Sequence, residues 1–478
     1  MAEEFPNRNR DVVVVGGGMG GLTAAIQAKN CGARVILVEK SPDINRSSTA
    51  IAGGGFSIHV KPYGEYSQEE LIQAFLKTGD DHCDPNLVRT FVTRLAADFT
   101  WLKDDLGLSF APNPARKGGF LVVGRGAAIP PFLEKVAREK RVDFQFNAEA
   151  KRILTNESGQ VIGLEATTPN GPKEFHANAV VLATGGFEAN GDMVQKYLGE
   201  QVHETTFQHR VSSTSHTGEG QLMATEIGAS FAKRSFFIHC GAEDKAWETP
   251  GVRPKNQGGP TRALLNTSRW GLWINKEGKR FIDESVESDP VSTAIMRQPE
   301  GVAALLFDGK TRERFPEEAQ KYEDAVPGAI LQGETLGAIA EKIEVPRSRL
   351  ESTVREFNRS VTNNKALTLE IPKGEHLPTA APIENPPFYA VYPVWSSMNT
   401  IWGGLEIDAQ ARVLDRDENA IPGLYAAGAI FGGIFSGIWA QTLSGTWTYR
   451  SNHDLLAASL QVCLVFGRVA GESAANYV

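Results

Sequence analysis

Residues 11–40 read DVVVVGGGMGGLTAAIQAKNCGARVILVEK, and the prediction of the fold class begins from this segment. The valines at positions 12–15 predict a short buried strand, and the alanine-rich segment after the glycines has the apolar spacing of a helix. The glycines follow the pattern G-x-G-x-x-G. Gly16 turns the chain, Gly18 lets the backbone approach a pyrophosphate, and Gly21 packs the helix against the strand. The positive end of that helix would hold the phosphates.

A second strand is predicted over residues 34–38, and Glu39 follows it directly. An acid at this distance from the glycines typically accepts the ribose 2′-hydroxyl of a dinucleotide, and its charge disfavours a 2′-phosphate. The order strand, turn, helix, strand, acid predicts a dinucleotide-binding unit. The motif alone does not separate NAD from FAD.

Composition excludes several classes of protein. The chain has 478 residues, enough for two domains, and a net charge of -8 without a basic tract, so we expect no nucleic-acid partner. Its four cysteines are far apart and form no CxxC pair, which predicts reduced thiols, no metal site and no iron–sulfur cluster. The N-terminal residues are polar and show no cleavable signal, so we expect a cytoplasmic protein.

Residues 420–449 carry no charge, and their length alone would pass for a membrane span. Pro422 and repeated glycines interrupt this segment, which is more typical of buried loops around a cofactor. Membrane association is therefore not expected.

The rest of the chain divides by character. Helical spacing is predicted over residues 67–106, 347–362 and 455–475, and a buried strand over residues 179–186. The middle, from about residue 239 to 382, is richer in charge and proline and has no dinucleotide fingerprint. It reads as a second domain inserted into the first.

Nine stretches together resemble the fumarate reductase/succinate dehydrogenase flavoprotein family, which also includes ketosteroid dehydrogenases and tricarballylate dehydrogenase. They are VVVVGGGMGGLTAAI, SSTAIAGGG, VVLATGGFEANGD, HTGEGQLMATEIGA, GLWINKEGKRFIDE, PPFYAV, WGGLEID, IPGLYAAG and VFGRVAGESAA. The resemblance implies an α/β fold, with a discontinuous Rossmann-like FAD-binding domain (residues 1–236 and 384–478). It also implies an inserted α+β capping domain (residues 237–383) that closes over the isoalloxazine ring.

The same resemblance assigns FAD contacts to individual residues. Glycines 16, 18 and 21 would hold the pyrophosphate, Glu39 the ribose, the backbone at Ala150 the adenine, and Ser459 and Leu460 the flavin pyrimidine edge. The full set is Gly16, Gly18, Gly20, Gly21, Glu39, Lys40, Ser48, Thr49, Gly54, Gly55, Ala150, Ala183, Thr184, Gly185, Glu219, Gly428, Ser459 and Leu460.

Three of these neighbourhoods depart from the family pattern. Glu219 stands where the family usually has Asp, and Ala429 stands where an acid usually meets the ribityl chain. Membrane-bound members attach FAD covalently through a His at the position of Ser48. We therefore expect non-covalent FAD.

The substrate-binding residues of fumarate reductases are also missing. The family's catalytic Arg falls at Ser288, a substrate His at Asn399 or Thr400, and a second Arg near Asp454. An anionic dicarboxylate would face uncompensated charge there. Six aromatic residues surround the same turns and predict an apolar pocket, unless they are simply core: Trp395, Trp402, Phe431, Phe435, Trp439 and Trp447.

The main hypothesis is a dehydrogenase that removes hydrogens from adjacent carbons next to a carbonyl in a cyclic, uncharged ketone. By resemblance to ketosteroid dehydrogenases, His453 or Tyr449 would donate to the ketone oxygen. Candidate bases are His239, Tyr449 and Tyr392.

Two alternatives stay open at this point. The first is an ene-reductase of fumarate-reductase type with a rearranged carboxylate clamp from Arg269 or Arg450, and the second is a non-catalytic or electron-carrying flavoprotein. A second dinucleotide fingerprint is lacking, so NAD(P)H is not an expected partner. Oxygen, a quinone or a carrier protein would accept the electrons.

Overall fold

A computed structural model describes most of the chain. The described residues are 10–79, 83–113, 118–198, 213–231, 237–243, 270–284, 288–325, 327–328, 330–363, 381–435, 437–441, 447–451 and 459–478. The strands are β1 Arg10–Val15, β2 Val35–Val38, β3 Gly55–Ser57, β4 Phe110–Pro112, β5 Gly119–Val122, β6 Asp143–Gln145, β7 Glu149–Thr155, β8 Val161–Thr168, β9 Gly171–Leu182, β10 Phe237–Glu243, β11 Leu272–Asn275, β12 Val302–Asp308, β13 Ile330–Gly333, β14 Phe388–Trp402, β15 Arg412–Leu414, β16 Ala420–Ala426, β17 Gly437–Gln441 and β18 Trp447–Ser451. The helices are α1 Met19–Asn30, α2 Ser48–Ile51, α3 Gln68–Gly79, α4 Pro85–Thr100, α5 Ile129–Glu139, α6 Gly191–Leu198, α7 Glu219–Glu226, α8 Ser288–Met296, α9 Gly309–Arg314, α10 Pro316–Ala325, α11 Leu336–Lys342, α12 Arg347–Thr362 and α13 Ser459–Tyr477.

The first sheet is built around β1, whose four valines are fully or almost fully buried. Its strand order is β15-β16-β9-β1-β2-β6, with β7 and β8 joined to β9 through β8. Strands β16, β9, β1, β2 and β6 run parallel. Their carboxyl ends therefore meet at one edge, where open α/β sheets bind ligands.

Helix α13 covers α1 with almost no side chain between the two backbones. A Cβ at Gly471 would lie 2.2 Å from the Ala24 carbonyl oxygen, and one at Gly467 would lie 2.5 Å from the Gly20 oxygen. The two helices can approach this closely because both positions are glycine. The N-terminal and last described helices thus belong to one layer of one domain.

The second sheet has the order β10-β14-β12-β11, with β13 also paired to β14, and its described pairs are antiparallel. Apolar residues alternate between its faces, as a strand's period of two requires. Trp273 and Leu305 pack in a core on one face, whereas Leu272 and Leu306 pack in a core on the other. Strands β10 to β13 of this sheet lie within the segment predicted as the inserted domain, residues 237–383, and β14 lies outside it.

The α/β fold class is confirmed, and several elements match their predicted bounds. The helix predicted over residues 347–362 is α12, and the predicted helical region 67–106 consists of α3, α4 and a π-helical turn, Trp101–Asp105. Strand β9 begins earlier than predicted because Gly171 starts a hairpin with β8. Strand β14 belongs to the second sheet up to Trp402, beyond the predicted domain boundary at residue 383.

Candidate cofactor and active site

A cleft with about 1080 Å³ of empty space opens at the carboxyl edge of the first sheet. Its walls come from the segments that directly follow β1, β2, β9 and β16, from the 46–52 loop and helix, from residues 215–219, and from β14 and α13. The carboxyl edge of a parallel sheet is where open α/β folds bind their ligands.

The glycine turn forms one end of this cleft. Gly16 has φ +108°, and a Cβ there would lie 2.4 Å from the Ala183 carbonyl oxygen, so the turn is closed to other residues. Helix α1 begins with Gly18 as its N-cap, which supplies no side-chain cap, and its first turn carries no acidic residue. Because backbone N–H groups at such a helix start lack intrahelical acceptors, this end of the cleft suits an anion.

Glu39 fixes the shape of that turn. Its carboxylate accepts hydrogen bonds from the backbone N–H of Gly17 at 2.6 Å and of Ser41 at 2.8 Å. Charge-assisted bonds of this kind are stronger than neutral ones. The acid predicted to meet a ribose therefore also ties β2 to the glycine turn.

Lys40, Thr217 and Glu219 form a polar cluster on the same wall. Lys40 Nζ donates to Glu219 Oε1 at 2.7 Å and to Thr217 Oγ1 at 2.9 Å, and Thr217 donates to the same carboxylate. Burial alone would raise the pKa of Glu219, but the hydrogen bonds from Lys40 and Thr217 bring it below its usual value. The charge of Lys40 is thus neutralised within the protein.

One wall of the cleft is uncharged. Thr400 and Trp402 of β14, the turn 427–429 and the start of α13 contribute no ionisable carboxylate or cationic side chain to the described lining. Trp402 is buried and packs edge-to-face on Phe435, with a centroid distance of 4.9 Å. This wall offers apolar contacts and the hydroxyls of Thr400 and Ser459.

The structure brings together most of the residues predicted to contact FAD. Fifteen of them line the cleft: Gly16, Gly18, Gly20, Glu39, Lys40, Ser48, Thr49, Ala150, Ala183, Thr184, Gly185, Glu219, Gly428, Ser459 and Leu460. Gly21, Gly54 and Gly55 are not in the lining. Gly21 packs under the turn, where a Cβ would lie 2.0 Å from the Gly16 oxygen, and Gly54 packs against the Arg125 backbone.

The aromatic residues predicted to form the substrate pocket divide between lining and core. Trp402 lines the cleft, whereas Phe431 and Phe435 belong to the main core. Trp439 lies in β17 and Trp447 in β18, two paired strands of which the structure describes only the backbone.

The predicted catalytic residues lie at the limits of the described chain. His239 is in β10, with its backbone opposite Thr400, and Tyr449 and Arg450 are in β18; the structure describes only their backbone. His453 and Arg269 lie outside the described residues. Tyr392 is not in the described lining; its hydroxyl donates a hydrogen bond to Glu344 and accepts one from Lys276.

Two residues at the cleft were missed from the sequence. His216 lines the cleft, and its Nδ1 lies 2.6 Å from Oε1 of Glu188, which is fully buried. Each belongs to a stretch that matched the family, HTGEG for the histidine and GGFEAN for the acid. Their separation of 28 residues gives no local signal of contact.

The residues present fit FAD on structural grounds. The N-cap residue Gly18 supplies no side-chain cap, and at the same helix start Thr49 Oγ1 accepts from the Met19 N–H at 3.0 Å. Together with the glycine turn, this helix start suits a pyrophosphate, and a Cβ on Gly18 would stand in the cleft without touching protein closer than 3.6 Å. The lining also includes Ala150 and the uncharged wall. Together these surfaces suit an extended dinucleotide that carries a flat aromatic ring.

Comparisons with known proteins agree with this fit. The profile of a protein family described as FAD binding domain matches residues 11–445. A urocanate reductase from Eggerthella lenta is 30% identical over 491 residues, which cover 97% of this chain and 74% of that protein. A probable fumarate reductase from Shewanella frigidimarina is 28% identical over 492 residues, with 99% and 76% covered.

A solved structure extends the agreement in fold. The crystal structure of 3-ketosteroid Δ1-dehydrogenase from Sterolibacterium denitrificans superposes with a TM-score of 0.76 at 19% identity, covering 98% of this chain and 100% of that one. At this identity the likeness concerns the fold alone. Among the described helices, none combines the length and apolar character that crossing a bilayer requires.

Proposed function

The chain belongs to the FAD binding domain family, and from this premise we propose that it is a dehydrogenase of cyclic, uncharged ketones. It is an FAD-dependent oxidoreductase of the fumarate reductase family that acts on CH–CH bonds. The more specific part of the proposal is that the enzyme removes two hydrogens from adjacent carbons of the substrate, next to a carbonyl group. The observation that carries it is the uncharged wall formed by β14, the turn 427–429 and α13.

Charge argues against a dicarboxylate at that wall. The cationic side chains in the described lining are Lys40 and Arg46, and neither belongs to the uncharged wall. Lys40 is already paired with Glu219. A diacid at the uncharged wall would lose its hydration without gaining a counter-charge from the residues of that wall.

The chain's own residues would divide the work as follows. The glycine turn, Thr49 and the start of α1 would hold the pyrophosphate, and the first turn of α13 would face the flavin ring. When bound, FAD supplies two-electron redox chemistry. The protein must add a donor at the ketone oxygen, for which Tyr449 and His453 are candidates, and a base for the proton on the neighbouring carbon, for which His239 is a candidate.

The main-chain register supports His239 as that candidate. Its Cα is paired with the Cα of Thr400, and Thr400 lines the cleft. The backbone of His239 therefore lies beside that of a residue of the uncharged wall.

The second candidate function is reduction of an unsaturated acid. It is favoured by the relatives named as urocanate reductase and fumarate reductase, at 30% and 28% identity. In this case Arg450 or Arg269 would bind the carboxylate. The prediction of non-covalent FAD applies to both functions and is checked by whether denaturation releases the yellow cofactor into solution.

An anaerobic substrate screen tests the proposal. Under the dehydrogenase assignment, saturated cyclic ketones bleach the visible absorbance of oxidised flavin, and Tyr449→Phe slows the bleaching while Arg450→Gln leaves it near the parent rate. Under the reductase assignment, chemically reduced flavin is reoxidised by an enoate, and Arg450→Gln removes that reaction. Reoxidation by enoates without bleaching by ketones would overturn the dehydrogenase assignment.

A further inference from the structure

A buried acid–imidazole pair lies beside the cleft and has no part in the functions described above. His216 Nδ1 is 2.6 Å from Glu188 Oε1. The Glu188 side chain is completely buried, whereas 11% of the His216 side chain is accessible. Since His216 lines the cleft, the histidine is the member of the pair that a bound ligand would meet.

Two consecutive glycines leave the space that this pair occupies. A Cβ at Gly185 would lie 2.6 Å from His216 Nε2, and a Cβ at Gly186 would lie 2.3 Å from Glu188 Oε2. Gly185 also has φ +82°, which other residues adopt at a cost. The backbone after β9 is thus shaped around the imidazole and the carboxylate.

Among the described residues, one of the two carboxylate oxygens of Glu188 has a hydrogen-bond partner and the other has none. Glu188 Oε2 is buried and has no hydrogen-bond partner among the described residues. A buried acid in that state depends on the partner of its other oxygen, because removing the partner would leave a buried polar group unpaired. Glu188 therefore holds Nδ1 of His216 firmly.

This hold determines which ring atom is left for a ligand. With Nδ1 directed at Glu188, Nε2 is the remaining nitrogen, an acceptor in the neutral ring and a donor in the imidazolium. The Ser48 hydroxyl lies 3.3 Å from both ring nitrogens, so it sits over the ring and not along the direction of either nitrogen. Ser48 and Gly185, the neighbours of the ring, line the cleft as well.

We propose that His216 is a cofactor-contacting residue, which touches bound FAD through Nε2, and that Glu188 is its positioning residue. The inference rests on FAD as the cofactor and not on the substrate class. All its tests are made without substrate, so a wrong substrate assignment leaves it unaffected.

Two amide substitutions distinguish the roles of the two ring nitrogens of His216. His216→Asn retains an amide near the position of Nδ1 and so keeps a donor for Glu188, but it removes the ligand-facing atom. His216→Gln extends an amide toward the position of Nε2 and loses the bond to Glu188. The matched control is His176→Gln, because His176 pairs with Glu174 on the surface and is not part of the described cleft lining.

The experiment measures the FAD dissociation constant, the visible spectrum and midpoint potential of bound FAD, and the thermal unfolding of the FAD-free full chain. His216→Asn is expected to raise the dissociation constant about tenfold, which corresponds to about 1.4 kcal/mol, and to shift the spectrum and potential, with little change in apoprotein stability. His216→Gln and Glu188→Gln are expected to destabilise the apoprotein and to weaken FAD binding less. His176→Gln is expected to change none of these quantities.

The proposal is overturned if His216→Asn binds FAD as the parent does, with the same spectrum and potential. It is also overturned if every variant of the pair changes only apoprotein stability, because the pair would then serve packing alone. If His216→Gln does not fold, His216→Asn and Glu188→Gln still decide between these outcomes.

Discussion

Substituting Gly471 by alanine tests the contact between the first and last described helices. A Cβ at this position would lie 2.2 Å from the Ala24 oxygen and 2.9 Å from its carbonyl carbon and Cα. All three obstructing atoms are backbone, so no side chain can rotate away. Since ordinary contact begins near 3.4 Å, α1 and α13 must separate by about 1 Å. A gap of that size removes about a quarter to a half of the attractive energy of each van der Waals contact across the interface.

The magnitude follows from two opposing effects. Overpacking with no room for relaxation costs roughly 3 kcal/mol, the upper end of the usual range. Alanine gains about 1 kcal/mol over glycine inside a helix. We therefore expect Gly471→Ala to lower the free energy of unfolding by about 2 kcal/mol and, because Leu460 and Cys463 on α13 line the cleft, to weaken FAD binding.

Urea unfolding of the FAD-free protein, together with FAD titration, measures both effects. Asn476→Ala is the control, since Asn476 is exposed on the same helix and gains the helical preference without the clash. A Gly471→Ala protein as stable as the parent would refute the reasoning, because the helices would then not be in backbone contact.

Three further predictions concern the cleft. Lys40→Met should lower the unfolding free energy by about 1 kcal/mol at neutral pH. The folded pKa of Glu219 is below its ordinary 4.5, so this difference should vanish as the pH falls through that folded pKa; a difference in urea midpoints that persists in acid would contradict it. Glu39→Gln should weaken FAD binding and lower the free energy of unfolding by roughly 1.5–3 kcal/mol, because the single amide oxygen cannot replace both carboxylate oxygens as acceptors of the two backbone N–H bonds. Unchanged FAD occupancy after purification would count against this prediction. Burial raises the pKa of the Cys463 thiol to about 12, so iodoacetamide at roughly pH 8 should alkylate exposed Cys31 and spare Cys463, as peptide mass mapping would show; equal labelling would contradict it.

The features that the sequence predicted well depend on residues close together in the chain. The valine strand, the glycine turn and the position of Glu39 lie within residues 11–40, and each has one physical reason to be there. Five of the fifteen predicted FAD contacts that line the cleft come from this stretch: Gly16, Gly18, Gly20, Glu39 and Lys40.

What escaped prediction depends on distant pairs. Glu188 and His216 meet because the segment after β9 and the segment before α7 lie side by side, and neither residue is part of a local pattern that requires the other. The membership of β14 in the second sheet follows from pairing with β10 and β12, which the alternation of its own residues does not specify. Phe431 and Phe435 carry the same apolar signal whether they face a ligand or the core, and the structure places them in the core.

The seating of α13 on α1 has a consequence for how the protein is made. The ribosome must add roughly 430 residues after Asn30 before the first residue of α13 exists, which takes on the order of 20–90 s at typical elongation rates. Throughout that time the nascent glycine turn lacks the part of the cleft lining that α13 supplies. We therefore expect capture of the flavin to follow translation of α13, and a stall within residues 237–383 would leave an empty half-site exposed to chaperones and proteases.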